Sequence, residues 1–165
     1  MYKFLLSLLL LFLALSCAIE EEPFNSDQEG DEDNPAIEVL IFGHFYGFCQ
    51  GEQCIETFKL EGNQLFEDHE DDYNHVTFDF VIRDQSDFEL VKDIIDLIPQ
   101  ELLTEESQTF GCPDCADQGG IYLKLPSVTT EGSDREFRLD HNQNNIPKYL
   151  HSFMDAVTDR ISKLQ

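Results

Sequence analysis

Two short cysteine pairs, Cys49 with Cys54 (C-x4-C) and Cys112 with Cys115 (C-x2-C), each stand in a glycine-containing loop immediately before an apolar, β-prone segment. A fold for this chain must therefore set both loops at strand starts and either bridge the sulfurs or put them to chemical use. Four cysteines allow three pairings. The local one, Cys49–Cys54 with Cys112–Cys115, asks nothing of long-range geometry. The crossed pairings would restrict the unfolded chain more, but they require the two loops to touch. The state of the sulfurs turns on the compartment, since thiols outside the cytosol tend to be oxidised.

The first residues address that question. Lys3 is the only charge before residue 20, and Phe4 to Leu15 is apolar throughout except for Ser7. A basic start, a short apolar core and small residues before a cut site make a secretory signal over residues 1–16. The run falls short of the roughly 20 apolar residues that a membrane-spanning helix needs. Ala14-Leu15-Ser16-Cys17 resembles the lipobox of bacterial lipoproteins, in which the cysteine is lipidated and becomes the first residue after cleavage. The usual leucine three places before the cysteine is replaced here by Ala14, with Leu13 one further back. A plain secreted protein is the alternative. Glu20-Glu21-Glu22 also resembles the acidic surface-export signal of Bacteroidota lipoproteins. Together these resemblances imply a lipid anchor at Cys17 and an outer-membrane location, on the periplasmic or cell-surface face.

Cleavage before Cys17 removes one lysine, leaving nine basic residues against 34 acidic ones, a net charge of −25 with histidine neutral. So acidic a surface repels nucleic-acid backbones and anionic lipid, so no nucleic-acid partner is expected. It suits a cationic protein partner, or simple solubility. Residues 17–36 carry acids, Pro and Gly with almost nothing to bury, which reads as a disordered tether. Asp27, Glu29, Asp31 and Asp33 alternate there, but the position of Gly30 and the missing closing glutamate fail the calcium-loop pattern.

Residues 37–165 are enough for one domain with its own core. Fourteen phenylalanines and no tryptophan make that core one of Phe and aliphatic packing. Ile37 to Phe42 reads as a central strand. Cys54–Leu60 and Gln64–Glu67, flanking Glu61-Gly62-Asn63, read as a hairpin. Glu67 to His75 reads as a solvated acidic loop. Val76 to Ile82 alternates, placing Val76, Phe78, Phe80 and Ile82 on one buried face. Ser86-Asp87-Phe88-Glu89 has the form of a capping box, opening a helix whose apolar face is Phe88, Val91, Ile94, Ile95 and Ile98 before Pro99. A polar link and the second cysteine pair follow, then strands at Ile121–Leu125 and Arg135–Leu139. Ile146, Tyr149, Leu150, Phe153, Met154, Val157, Ile161 and Leu164 form the apolar face of a last helix. This order predicts an α+β domain, a mainly antiparallel sheet with two helices packed on one face.

The C-x-G-x-x-C loop between two strands, the run Gly111 to Gly120 (GCPDCADQGG) and the opening Ile146-Pro147…Leu150 of the last helix resemble small lipoproteins of Bacteroidota without an assigned reaction. The likeness covers roughly residues 37–165 as an order of elements. It implies location and fold and transfers no catalytic residue.

Three uses of the cysteines remain. In an exported chain structural disulfides lead. Four thiolates from Cys49, Cys54, Cys112 and Cys115 around zinc are one alternative. Thiol-redox chemistry at Cys112-Pro113-Asp114-Cys115 is the other, although that chemistry wants the first cysteine at a helix N-terminus and here a strand follows. His69 and His75 lie among acids that could hold a divalent cation weakly, but their spacing is not a standard ligand spacing. No nucleophile elbow, metalloprotease, P-loop or dinucleotide pattern is present, which points away from an enzyme. Phe45, Tyr46 and Phe48 beside the first cysteine loop form a candidate binding patch if they face outward.

Overall fold

Alternation writes both faces of one sheet. Leu40 and Phe42, Phe58 and Leu60, Ile121 and Leu123, and Phe137 and Leu139 sit two apart on four strands, and all are buried in one apolar cluster. Ile41, Phe45 and Tyr122, of opposite parity, form a second cluster on the other face. The computed structural model describes residues 37–49, 51–127 and 132–165. The signal, lipidation and tether expected over residues 1–36 lie outside these.

Seven strands are present among the described residues: β1 (Val39–Phe45), β2 (Ile55–Glu61), β3 (Gln64–Asp68), β4 (Phe80–Ile82), β5 (Gln108–Phe110), β6 (Gly120–Leu125) and β7 (Arg135–Asp140). They form a single sheet in the order β4-β3-β2-β1-β6-β7-β5. Every neighbouring pair is antiparallel except β5 with β7. Three α-helices accompany them, α1 (Gln85–Val91), the single turn α2 (Gln100–Leu103) and α3 (His151–Leu164). The fold is α+β, as the order of elements predicts. Phe88 and Val91 of α1, Leu102 of α2, and Phe153, Met154, Val157, Ile161 and Leu164 of α3 all enter the first cluster, so the helices cover one sheet face. Phe42 pairs with Phe58 across β1 and β2, their ring centroids 5.7 Å apart, at the centre of that core.

Several expectations need correction. The first strand continues through Gly43 to Phe45 rather than ending at Phe42. Gly43 is required inside the strand, because a Cβ there would strike Glu56 O on β2. The expected strand Val76–Ile82 shrinks to the edge strand Phe80–Ile82. Before it, the Asp72 carboxylate accepts the N–H groups of Asn74, Val76 and Thr77 and wraps the chain into a turn. Val76 is left 77% exposed and Ile82 56% exposed, while Phe78 and Phe80 stack on each other at 5.1 Å. Third, α1 begins one residue before Ser86, with Asp84 at its N-cap, and ends at Val91, so that Ile94, Ile95 and Ile98 fall on a turn and a 3-10 segment instead of the expected helix. The Glu89 carboxylate does not reach back to Ser86, since Lys92 (2.6 Å) and Gln85 (3.3 Å) both bind it. Fourth, the polar link after Pro99 holds the single-turn helix α2 and the three-residue strand β5, both too short to declare a period.

The sheet's second face is covered by the acidic stretch after β3, which is anchored and not merely solvated. The buried Asp68 carboxylate accepts Glu70 N–H at 3.2 Å and Asp79 N–H at 2.6 Å, drawing both ends of the loop together. Tyr73 and His75 then reach down to the sheet. His75 is 3% exposed and its ring stacks on Tyr122 at 3.8 Å.

Candidate functional site

The position of the site follows from strand order. β1 and β6 are antiparallel neighbours with Phe45 opposite Gly120. The loop leaving β1 and the loop entering β6 therefore lie side by side at one end of the sheet, and these are the two cysteine loops. They touch. A side chain at Gly119 would strike the Phe45 carbonyl and the Tyr46 ring, and one at Gly47 would strike the Asp114 carboxylate. Gly119 also has φ +68°, so both the close approach and the backbone demand glycine. Although the loops touch, the bridges are local: Cys49–Cys54 with Cα atoms 5.6 Å apart, and Cys112–Cys115 with Cα atoms 5.5 Å apart. Rings this small still restrict the unfolded chain by about 2 kcal/mol each.

Hydrogen bonds pin each loop from below. In the first, Tyr46 N–H donates to Cys54 O (2.9 Å) and His44 Nε2 donates to Gln53 O (3.0 Å). In the second, buried Asp140 at the end of β7 accepts four bonds. They come from Cys112 N–H (3.0 Å), Gln118 Nε2 (3.1 Å), Asn142 N–H (2.8 Å) and Asn145 Nδ2 (2.7 Å). Burial pushes the Asp140 carboxyl up, but these donors outweigh it and hold it down at about 2. Asp114 accepts Gly119 N–H (3.2 Å) and the Tyr73 hydroxyl (2.9 Å), tying the second loop to the acidic loop.

This setting bears on the sulfur chemistry. The carboxylate under Cys112 opposes a thiolate there, and no helix begins at that residue to favour one. Among the described residues, no group of three or more His, Cys, Asp and Glu is arranged to hold a metal ion. His69 sits beside Glu67 at 3.6 Å, whereas His75 is buried on the second sheet face, so the two histidines do not act together.

The expected patch divides. Phe45 is 1% exposed and packs edge-on against Tyr73 at 5.6 Å, so it belongs to the core and not the surface. Its position at the end of a strand, with the parity of Ile41, turns it inward. Tyr46 is half-buried between the rings of His44 (5.2 Å) and His141 (5.3 Å). Phe48 is 86% exposed. Tyr46, Phe48 and the Cys49–Cys54 bridge line an open cleft of about 710 Å3, together with Asp117 of the second cysteine loop. Asp117, in the left-handed region at φ +58°, is the charged side chain among the described lining residues. The cleft thus joins the aromatic pair to both cysteine loops. Asp140, Asp114 and Arg138, which support this end, carried no sequence signal, since single charged residues in an acid-rich chain are indistinguishable from solvated ones.

A smaller acidic pocket of about 380 Å3 lies beside the start of β2, lined by Glu56, Glu67, Asp68, His69 and Asp71. Burial first, then the charges of Glu67 and Asp71, push the Glu56 carboxyl up to about 7. The folded state therefore keeps a proton that the unfolded chain releases near 4.5, and stability falls as pH rises between these values. Glu56→Gln is expected to stabilise the protein by about 1 kcal/mol at pH 8, discounted for the half-exposed position, and by nothing at pH 4. Urea unfolding at the two pH values checks this; an equal gain at both would show that charge is not the cause.

No protein-family model matches the chain, and no curated protein is significantly similar to it.

Proposed function

We propose that this chain is an exported, lipid-anchored binding domain, non-enzymatic, held at the outer membrane through Cys17 and taking a basic protein as its partner. The observation that carries the reading is the junction of the two cysteine loops. Two disulfides and a buried carboxylate with four donors hold a concave, aromatic-bearing surface in place before any partner arrives. Such pre-organisation lowers the entropic cost of association. The net charge of −25 adds long-range steering of a cationic partner, which speeds encounter. The lipobox-like Ala14-Leu15-Ser16-Cys17 and the resemblance to Bacteroidota lipoproteins support the anchor.

Capture from an envelope extract on the immobilised full chain, at low and high salt, tests the partner. Basic proteins released by salt are expected; neutral or acidic ones, held regardless of salt, would overturn the reading. Cys17→Ser is expected to move the protein from the detergent phase to the aqueous phase, and retention in detergent would rule out that anchor.

A further inference from the structure

The geometry points to the cleft between the two cysteine loops as a receptor for a single lysine or arginine side chain of the partner, seated against Phe48 and Tyr46 and paired with Asp117. The inference rests on the binding reading above and adds the place and the chemical group recognised. Three observations lead to it.

The first is Phe48 itself. Among the described large apolar side chains that face solvent it is the most exposed, at 86%, and the only aromatic one. It packs in neither apolar cluster, so its exposure contributes nothing to the core. The loop that carries it is nevertheless closed at its base by Tyr46 N–H on Cys54 O, by the Cys49–Cys54 bridge and by His44 on Gln53 O. An aromatic held outward on a braced loop is the form of a binding anchor.

The second is the carboxylate that shares the cleft. Asp117 comes from the other cysteine loop, in a left-handed turn whose N–H donates to Asp114 O at 3.4 Å. Aromatic side chains and a carboxylate lining one open cleft suit a cation on a long apolar stem. The stem lies along the rings, the charge sits over a ring face, and the carboxylate takes a hydrogen bond from it.

The third is charge. Apart from partners of this sign the cleft has one obvious competitor, a lipid surface into which Phe48 would insert. With a net charge of −25 and Asp117 beside the ring, approach to anionic headgroups is repulsive, and a carboxylate would be dragged toward the apolar layer. A basic protein meets neither cost.

The test uses the full chain in zwitterionic lipid nanodiscs, titrated with tetra-arginine peptide and followed by amide and aromatic NMR. Shifts are expected to concentrate on Tyr46, Phe48 and Asp117. Phe48→Ala and Asp117→Asn are each expected to weaken the peptide about tenfold. Both substitutions lie at exposed positions, and asparagine tolerates the left-handed backbone, so the fold should persist. Salt-sensitive binding spread over the acidic surface, unchanged in both variants, would overturn the cleft while leaving the basic-partner reading standing. No binding at any salt would overturn both. Broadening of Phe48 by a spin-labelled lipid, indifferent to the peptide, would make it a membrane foot and overturn the inference.

Discussion

Replacing Asp140 with alanine is expected to destabilise the protein by about 3–5 kcal/mol, the range for removing one partner from a buried, multiply bonded charge. Four donors converge on this carboxylate from three places: the second cysteine loop, the end of β7 and the turn before α3. Alanine would leave them facing a void, and the Cys112–Cys115 loop would lose its attachment to the sheet. Hydrogen exchange over residues 111–119 should rise well above that of β1 and β2. The pH dependence has a definite sign. Asp140 is held at about 2 when folded, against 3.8 ordinarily, so its contribution is complete above 3.8 and is lost as pH falls toward 2. Asp140→Asn keeps the shape but presents N–H groups to some of the same donors, and should fall between. Loss below about 1 kcal/mol in the alanine variant would mean that the loop is held by other means.

Arg138 is the second such position. Its Nη2 donates to Tyr73 O (2.7 Å) and to His75 Nδ1 (3.0 Å), and its guanidinium lies 4.5 Å from the Phe45 ring centroid. Because arginine can only donate, His75 accepts at Nδ1 and carries its proton on Nε2. Burial first, and the Arg138 charge second, push His75 down to about 4 from 6.5. Its contribution to stability is thus full above 6.5 and declines as pH falls to 4, by about 3 kcal/mol in all at about 1.4 kcal/mol per pH unit. Arg138→Leu is expected to cost about 3 kcal/mol at pH 7 through the stranded Tyr73 and His75 acceptors and the lost ring contacts. It should also shallow the acid decline, since one of two causes is gone, and His75→Phe should abolish it. Glu56 works in the opposite direction over an overlapping range, so both comparisons belong in a Glu56→Gln background. An acid decline unchanged in both variants would show that His75 does not govern it.

Periodic features were legible in the sequence, and positions fixed by a single side chain were not. The last helix declares itself through Phe153, Val157, Ile161 and Leu164, and the hairpin through Glu61-Gly62-Asn63, because repetition and a turn signal survive without tertiary context. Val76 to Ile82 misleads for the same reason: it alternates like a strand, yet Asp72 captures three backbone N–H groups that a ladder would have used. The acidic stretch before it reads as solvated by composition, while Tyr73 and His75 within it are anchors on the second sheet face. Of the candidate site, the cysteine pairs and two of the three aromatics were visible. That the loops meet depends on β1 and β6 being neighbours, which local pattern does not encode. Asp117 and Phe48 line one cleft for that reason.

In the proposed function the cysteines brace a binding surface and do not themselves perform the chemistry. Intact native mass of the full chain, exported to an oxidising compartment, with peptide mapping before and after reductant and chelator, tests it most directly. The expected result is four hydrogens missing, with Cys49 joined to Cys54 and Cys112 to Cys115, all four hydrogens regained on reduction, and no mass lost to chelator. Free thiols with a zinc mass that the chelator removes, or a Cys112–Cys115 bridge that exchanges readily while Cys49–Cys54 stays closed, would contradict it and make the cysteine loops the reactive site.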